Sequence, residues 1–394
     1  MPLPVYFDYN ATTPMDARVR AAMSPYLETR FGNASSRHEY GRAARRAMDL
    51  ARQQVAAAVG AHPTEIIFVS GGSEANNLFL KGAAAAFGKG GGAVAFSAIE
   101  HPCVLNAARQ LARQEWRLIE LPVDATGRVT RAGIDDALAR QKPGLWSVML
   151  ANNETGVVQD VAAFAHSVQE RGGGWFHSDA AQVLGKIPID FRALNQAGVH
   201  ALTLSAHKVY GPKGAAALVV DKRLDLIPLI SGGGQEGGLR AGTENVAAIV
   251  GFGVAAELAA SRLKELSARL SRLRARLEAG LLPLGATIFG IDAPRLPNTS
   301  YFSFAGVEGE TLLARLDRAG FAVASGAACS SANPNPSHAL MAMGVPEALA
   351  RGALRVSLGA ESNEEQIDAF LPALKAELAG LKNLTALQDE SRRA

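Results

Sequence analysis

Short apolar runs alternate with helix-like stretches over the first two-thirds of the chain. The apolar runs have the length and the β-rich composition of buried strands, and they cover residues 65–70, 93–97, 117–123, 145–150, 175–178, 201–205 and 215–220. The helix-like stretches between them cover residues 43–59, 74–87, 104–114 and 162–171. This alternation predicts an α/β fold with a mostly parallel sheet and helices on both of its faces. In such sheets ligands bind beyond the carboxyl ends of the strands.

A different pattern begins near residue 254. Leucines recur mainly at three- and four-residue steps with charged residues between them, at Leu258, Leu263, Leu266, Leu270, Leu273 and Leu277. This spacing predicts one long amphipathic helix over residues 254–279, which Gly280 is placed to end. A coiled coil is the alternative, but the run is too short to favour it. We interpret the helix as the bridge from a large domain, 1–253, to a smaller one, 254–394, with strand candidates at 286–289, 299–304, 321–324 and 354–358.

The composition allows a large core and excludes several classes of protein. Of the 394 residues 48% are hydrophobic, and 40 Lys and Arg against 37 Asp and Glu give a formal charge of +3. This near balance argues against a nucleic-acid-binding or membrane-surface protein. The N-terminus lacks a signal-peptide pattern, no uninterrupted apolar segment is long enough to span a bilayer, and two cysteines make no disulfide scaffold. We therefore expect a cytoplasmic protein.

One lysine follows an apolar strand directly. Ser205, Ala206, His207 and Lys208 come after the run 201–204, and a turn rich in Gly and Pro follows them. This arrangement holds Lys208 rigidly at the edge of a sheet. Pyridoxal phosphate (PLP) needs such a residue, because it is carried as a Schiff base on a fixed lysine. Most lysines are solvated charges, so the weight of this one depends on the other motifs.

Two further strand ends carry candidate cofactor-binding groups. Residues 71–77 open a helix, where free backbone N–H groups and the Ser73 hydroxyl favour an anion. An ordinary helix cap is the alternative. Asp179 ends another strand and is placed to pair with a protonated pyridine nitrogen, with Gln182 three residues later. A polar strand terminus or a cap explains this acid equally well.

Other polar positions also allow a functional and a structural interpretation. His101 follows a strand and suits stacking on a planar cofactor or proton transfer, although a lone histidine is more often structural. Asn152 and Asn153 end another strand, where a plain turn would use the same residues. Arg355 lies in an apolar strand candidate, where it binds a carboxylate or phosphate or closes an internal salt bridge.

Two loops complete the candidate chemistry. Residues 231–245 contain six glycines around Arg240 and Thr243, so the backbone can approach a ligand or a neighbouring subunit closely; a bland flexible loop is the alternative. Cys329 stands among small, polar and proline residues, which offer its thiol no apolar burial. It is a candidate nucleophile or an incidental surface cysteine. Cys103, at the start of a predicted helix, is interpreted as a small packed residue.

Taken together, these motifs resemble the cysteine desulfurases, PLP enzymes of the class V aminotransferase group. The resemblance runs almost from end to end and includes, in order, residues 8–14, 31–36, 72–74, 100–101, 152–156, 179–182, 207–208, 240–245, 325–329 and 355–359. It implies PLP fold type I: a large domain with a mostly parallel seven-stranded sheet, a smaller C-terminal α+β domain, and a homodimer with active sites at the interface. The chain departs from the family at Ser73, which replaces the usual threonine, and at residues 360–362, where many relatives continue with arginine and an aromatic residue.

The resemblance also implies roles for individual residues. Lys208 carries the cofactor, Asp179 holds the pyridinium nitrogen, Gln182 bonds the phenolic oxygen, and His101 stacks on the ring. The groups implied around the phosphate and its strand end are Gly72, Ser73, Ser205, Ala206, His207 and, from the partner subunit, Thr243. The substrate carboxylate is expected on Arg355 and on Asn153, which also borders the cofactor.

The implied reaction converts L-cysteine to L-alanine and leaves the sulfur on Cys329 as a persulfide. Residues 325–338 resemble the long loop of the enzymes that serve iron–sulfur and nitrogenase cluster assembly, so we expect a sulfur-acceptor protein such as an iron–sulfur scaffold as partner. Through its persulfide Cys329 is also a candidate iron–sulfur ligand. The alternatives are a selenocysteine lyase, another class V PLP aminotransferase, or an inactive sulfur-trafficking scaffold.

Overall fold

The computed structural model describes residues 3–88, 92–140, 142–325 and 335–393, with the backbone alone from residue 382 onward. The strands in these ranges are β1 (Val5–Tyr6), β2 (Ile66–Val69), β3 (Ala93–Ser97), β4 (Arg117–Leu121), β5 (Leu145–Ser147), β6 (Trp175–Asp179), β7 (Val199–Ser205), β8 (Ala216–Val220), β9 (Thr287–Ile288), β10 (Thr299–Ser303), β11 (Phe321–Ala322), β12 (Ala324–Ser325) and β13 (Leu354–Ser357). The α-helices are α1 (Ala17–Glu28), α2 (Glu39–Ala58), α3 (Gly72–Ala86), α4 (Pro102–Ala112), α5 (Arg131–Arg140), α6 (Val161–Glu170), α7 (Phe191–Gln196), α8 (Val246–Leu281), α9 (Gly309–Arg318), α10 (His338–Ala342), α11 (Glu347–Arg351) and α12 (Glu364–Arg393).

The large sheet has seven strands in the order β2-β8-β7-β6-β5-β3-β4. Strands β7, β6, β5, β3 and β4 run parallel, and β8 runs antiparallel to both β7 and β2. Successive side chains of a strand point to opposite faces, so Ala201 and Leu202 of β7 enter two different apolar cores. The predicted α/β class with a mostly parallel seven-stranded sheet is confirmed.

A smaller sheet follows along the chain. Strands β12, β13, β10 and β9 pair antiparallel in that order, and β1 pairs in parallel with β11 beside them. Their apolar faces form a core with α9, α12 and the second half of α8, centred on residues such as Phe7, Phe302 and Phe370. The N-terminal strand therefore packs with the C-terminal part of the chain.

Helix α8 joins the two cores. Its first half contributes Phe252 to the core of the large sheet and its second half contributes Leu273 to that of the small sheet. The predicted domain boundary after residue 253 falls inside this helix and stays a prediction. The expectation that Gly280 ends the helix is wrong, because the helix continues to Leu281. Gly280 is instead a packing position, where Leu371 of α12 leaves no room for a Cβ atom.

The segment Val246–Leu284 is long and apolar enough, by length and composition alone, to cross a membrane. The sequence prediction concerned uninterrupted apolar segments and is not contradicted, since Glu257 interrupts the apolar residues from 246 to 260. Half of its most apolar stretch is buried inside the protein, and the helix packs on α1 and α2. Packing against the core accounts for its composition.

Candidate functional site

A cavity of about 540 Å³ lies at the edge of the large sheet where strands β2, β3, β5, β6 and β7 end. This is the edge at which the sequence predicted a ligand, beyond the carboxyl ends of the strands. Its walls are formed by Asn10, Ala11, Gly72, Ser73, Asn76, His101, Pro102, Cys103, Met149, Ala151, Asn153, Glu154, Asp179, Ala181, Gln182, Ser205, His207, Lys208, Asn335, Pro336, Ser337, His338 and Arg355.

Most of the predicted site residues meet in this cavity. Two of the described ones, Ala206 and Thr243, do not contribute to its walls. Ala206 is fully buried, and its backbone N–H donates to the carbonyl of Ala215. Thr243 is exposed on the glycine-rich loop, and Cys329 lies outside the described residues.

Lys208 is fixed where β7 ends. A single 3₁₀ turn, Ala206–Lys208, follows the strand and carries the lysine into the cavity. Its Nζ donates to the carbonyl oxygens of Asn10 and Ala11, at 2.5 and 2.8 Å. The amine thus lies between the large sheet and the N-terminal segment.

Asp179 lies at the end of β6 and is buried. Its Oδ2 accepts a hydrogen bond from Asn76 Nδ2 at 2.7 Å, and its Oδ1 accepts one from the backbone of Ala181 at 2.9 Å. Both of these donors are neutral. The carboxylate is therefore oriented by amides in a cavity wall, where a cationic ring nitrogen is a suitable partner.

His101 caps helix α4, so the structural interpretation of this residue holds alongside the functional one. Its Nδ1 accepts the backbone N–H of Cys103 at 3.2 Å, which leaves the ring proton of the neutral form on Nε2. Burial lowers the pKa of His101, and Asp179 opposes the shift. The imidazole is therefore neutral at neutral pH.

Cys103 packs against the core of the large sheet, as the sequence analysis expected, but its side chain also lines the cavity. Its Sγ lies 3.0 Å from Asn76 Nδ2. Burial, and after it the charge of Asp179, raises the pKa of the Cys103 thiol to about 12. This cysteine is thus a protonated thiol at neutral pH.

One end of the cavity is built for an anion. Helix α3 begins at Gly72 after the cap residue Gly71, and no side chain caps it, so Ser73 is not the helix cap that the sequence allowed. The backbone N–H groups of such a first turn are free to bind an anion. Ser205 Oγ is buried there without a hydrogen-bond partner in the structure. Burial, followed by the charge of Lys208, lowers the pKa of the neighbouring His207 to about 4, so its ring is neutral.

Arg355 marks another part of the cavity wall. Its Nη2 pairs with Asp8 at 2.6 Å, so the internal salt bridge that the sequence allowed is present. Its Nη1 donates to the backbone oxygen of Asn153 at 3.0 Å, and its Nε is buried without a partner. Asn152 serves the turn, since its Oδ1 accepts the backbone N–H groups of residues 154 and 155, whereas Asn153 faces the cavity.

Several wall residues were not predicted from the sequence. Burial raises the pKa of Glu154, whose carboxylate accepts a short hydrogen bond from the Ser337 hydroxyl. His338 Nε2 lies 2.8 Å from the backbone oxygen of Glu100. Ser337 and His338 are the last residues of the predicted cysteine loop, 325–338, and that position was the available signal. These two contacts attach the chain after residue 334 to the cavity wall.

No group of His, Cys, Asp and Glu residues suited to a metal ion occurs within the described ranges. The predicted iron–sulfur ligand, Cys329, lies in the gap between 325 and 335.

Comparisons with known proteins match nearly the whole chain. The aminotransferase class-V family model matches residues 5–370. Cysteine desulfurase IscS of Dictyoglomus turgidum is 41% identical over 388 residues, which cover 98% of this chain and 97% of that protein. A solved NifS-like protein superposes with a TM-score of 0.89 at 37% identity, covering 96% of this chain and all of that one. A structure of SspA in complex with cysteine gives a TM-score of 0.78 at 34% identity, with coverage of 90% and 98%.

Proposed function

The chain belongs to the class V aminotransferases and, within them, to the cysteine desulfurases, and we propose that it uses PLP to convert L-cysteine to L-alanine. The sulfur passes to Cys329 as a persulfide and supplies iron–sulfur cluster assembly. One observation carries the proposal: Lys208 and Asp179 line a single cavity together with His101 and Arg355. A fixed amine, a carboxylate, an aromatic ring and a carboxylate-binding guanidinium are the groups that this chemistry needs.

The cavity fits PLP. The unpartnered Ser205 hydroxyl and the uncapped first turn of α3, with Gly72 and Ser73, suit the phosphate beside His207. Lys208 is the residue that would carry the cofactor. Asp179 would hold the ring nitrogen, Gln182 the phenolic oxygen and His101 one ring face. The neutral His207 also suits this place, because a hydrogen-bond donor without charge leaves the phosphate to be neutralised by the helix end.

Different residues around the cavity bind the substrate carboxylate and transfer protons. When bound, PLP withdraws electrons from the carbon that bears the substrate amine. The unpartnered Nε of Arg355, with the side chain of Asn153, binds the carboxylate of L-cysteine. The Lys208 amine takes the proton from Cα, and the Nε2–H of neutral His101 supplies a proton to the product.

Cys329 is the proposed sulfur acceptor. Its thiolate sulfur forms a bond to the substrate sulfur, the carbon–sulfur bond breaks, and its electron pair stays with the carbon skeleton, which takes up protons and leaves as alanine. An added thiol then reduces the persulfide to sulfide and restores Cys329. The chain's other cysteine is poorly suited to this attack, because the raised pKa of Cys103 keeps its thiol protonated.

The oligomeric state, the location in the cell and the sulfur acceptor belong to the same proposal. We expect a homodimer, since Thr243 does not reach the cavity of its own subunit. We also expect a cytoplasmic enzyme that hands sulfur to an iron–sulfur scaffold or a similar acceptor protein. The names of the relatives favour the desulfurase over the selenocysteine lyase, the transaminase and the inactive scaffold.

The test measures alanine release from L-cysteine by the PLP-loaded protein with a reducing thiol present. Wild type, Cys329→Ser and Cys103→Ser are compared, because the chain has two cysteines and each controls for the other. We expect Cys329→Ser to keep the cofactor absorbance and lose alanine release by more than a hundredfold. Cys103→Ser should lose no more than a few-fold. Normal turnover by Cys329→Ser would disprove the persulfide step.

A further inference from the structure

A second lysine is buried behind the cavity. Lys186 follows Asp179 by seven residues, in the turn after β6. Gly185 before it has a φ of +75°, and a Cβ atom there would lie 3.0 Å from Ala259 and Val209. The positive φ and the tight packing both require glycine at this position. This turn directs the Lys186 side chain into the protein, where only 7% of the residue is exposed.

The Lys186 amine binds two amide oxygens. Its Nζ donates to Oε1 of Gln182 at 2.9 Å and, more weakly, to Oδ1 of Asn10 at 3.4 Å. Both acceptors are neutral. The proposed mechanism uses Gln182 and Lys208 but gives Lys186 no role.

An ammonium group can only donate hydrogen bonds, so it decides which end of an amide faces it. With the oxygen of Gln182 turned towards Lys186, the Gln182 Nε2 must point the other way. There it donates to the backbone oxygen of Asn10 at 3.0 Å, the same oxygen that accepts from Lys208. Lys186 and the Asn10 carbonyl therefore hold Gln182 from its two ends, so that it presents donors, and not an acceptor, on the side of the catalytic lysine.

The burial of this amine is energetically unfavourable in itself. Burial lowers the pKa of Lys186 to about 7, and the positive charges of Lys208 and Arg355 add to the shift. A buried cation beside two others opposes folding, so packing gives no reason for a lysine here. A nearby anion, such as the phenolic oxygen of PLP that Gln182 would bind, gives a reason for a lysine at this position.

We propose that Lys186 is a positioning residue for the cofactor, which holds the Gln182 amide with its N–H groups towards the cavity. The inference rests on the proposed function only in that PLP is the bound group. Lys186 itself does not line the cavity. It acts through the orientation of one amide.

The experiment measures the affinity of the purified apoprotein for PLP, from the visible absorbance and from the rise in melting temperature on loading. Lys186→Met keeps the unbranched side chain up to the terminal amine and removes its donors. Its dissociation constant should be about five- to tenfold higher than that of wild type, as expected for one lost hydrogen bond. The visible band of the bound cofactor should shift as well, because the donor to its phenolic oxygen is no longer fixed.

A double-mutant cycle separates this role from a general structural one. In a Gln182→Ala background the further change Lys186→Met should weaken PLP binding by less than twofold. An equal loss in both backgrounds, or wild-type affinity and absorbance in Lys186→Met, would overturn the inference. Lys222→Met, an exposed lysine after β8 at the opposite edge of the sheet, is the matched control and should bind PLP as wild type does.

The experiment also covers a variant that does not fold and a wild type that does not bind PLP. If Lys186→Met does not fold, Lys186→Gln repeats the measurement, since glutamine carries both a donor and an acceptor and does not dictate the Gln182 orientation. Its affinity should then fall between those of wild type and Gln182→Ala, and wild-type affinity would again contradict the inference. If wild type itself does not bind PLP, the proposed function fails first, and the inference falls with it.

Discussion

The Cys103 thiol lies 2.9 Å from Nδ1 of His101. Since that nitrogen also accepts the backbone N–H of Cys103, the thiol is a second donor to one acceptor, and the thiol and the ring are both held in their neutral forms. The same thiol contacts Asn76, whose amide donates to Asp179. The two groups expected on the cofactor ring are thereby connected through a cysteine that the proposed sulfur chemistry does not use.

The first prediction follows from the protonation of this thiol. Because its pKa is raised to about 12, Cys103 should resist alkylation by iodoacetamide at pH 8 in the folded protein. Mass spectrometry of the peptide that contains Cys103 measures the labelling. The same peptide from protein unfolded in guanidinium is the control and should be labelled fully. Labelling of the folded protein at the rate of the unfolded one would show that the thiol is neither buried nor protonated as described.

The second prediction concerns recognition of the substrate carboxylate. Arg355→Lys keeps the charge but removes the forked guanidinium that contacts Asp8 and Asn153 and carries the unpartnered Nε. We expect the KM for L-cysteine to rise about ten- to a hundredfold, the effect of losing a charged hydrogen bond. The cofactor absorbance should stay as in wild type. An unchanged KM would place the carboxylate elsewhere.

The third prediction is a pH dependence of stability. The buried His177 lies within hydrogen-bond distance of Ser147 and Thr203 and stacks on Phe79, so β5, β6 and β7 are joined through one ring. Burial lowers the pKa of His177 from 6.5 to about 4. Since the folded form binds the proton less tightly than the unfolded one, this histidine favours folding above pH 6.5 and loses that contribution as the pH falls towards 4.

Denaturant unfolding at pH 7 and pH 5 measures the effect. Wild type should lose about 2 kcal/mol more unfolding free energy between these values than His177→Gln, whose side chain does not titrate. The other histidines of low pKa, His200 and His207, titrate alike in both proteins and cancel in the comparison. Equal losses in the two proteins would contradict the assigned pKa shift.

The fourth prediction tests the contribution of the partner subunit. Thr243 is exposed and does not line the cavity of its own chain, so a cofactor contact requires a second copy. Lys208→Ala and Thr243→Ala should each be impaired as pure dimers. When they are co-expressed, a mixed dimer has one site with both changes and one with neither, and cysteine desulfurase activity should recover. No recovery in isolated mixed dimers would place Thr243 outside the neighbouring site.

The sequence predicted the large sheet well because its buried strands are continuous apolar runs bounded by polar or glycine residues. It predicted the second half of the chain less well. The helix Glu364–Arg393 was missed, and Gly280 was interpreted as a helix end. Glycine signals a helix terminus only when the backbone needs a positive φ, whereas Gly280 serves the close packing of two helices that are distant in sequence.

The candidate site also contains residues that the sequence predicted and residues that it did not. Asp179 ends a strand, His101 and Lys208 follow strands, and all three were found from local sequence. Asn10 and Lys186 were not, because their significance comes from contacts across the chain: Asn10 and Lys208 are separated by 198 positions. A lysine in a turn is ordinarily solvated, and nothing in the residues around position 186 indicates that this one is buried.

The pairing of β1 with β11 sets an order for biosynthesis. Val5 lies beside Phe321, and Phe7 packs on Phe370 with 5.6 Å between the ring centres. A ribosome makes these partners on the order of tens of seconds after the first strand emerges. Through that interval Lys208 can already stand at the end of its strand, but the carbonyl groups of Asn10 and Ala11 that accept from its amine have no small sheet to anchor them. A growing chain therefore acquires Lys208 before it acquires the strands and helix of the small sheet that complete the pocket.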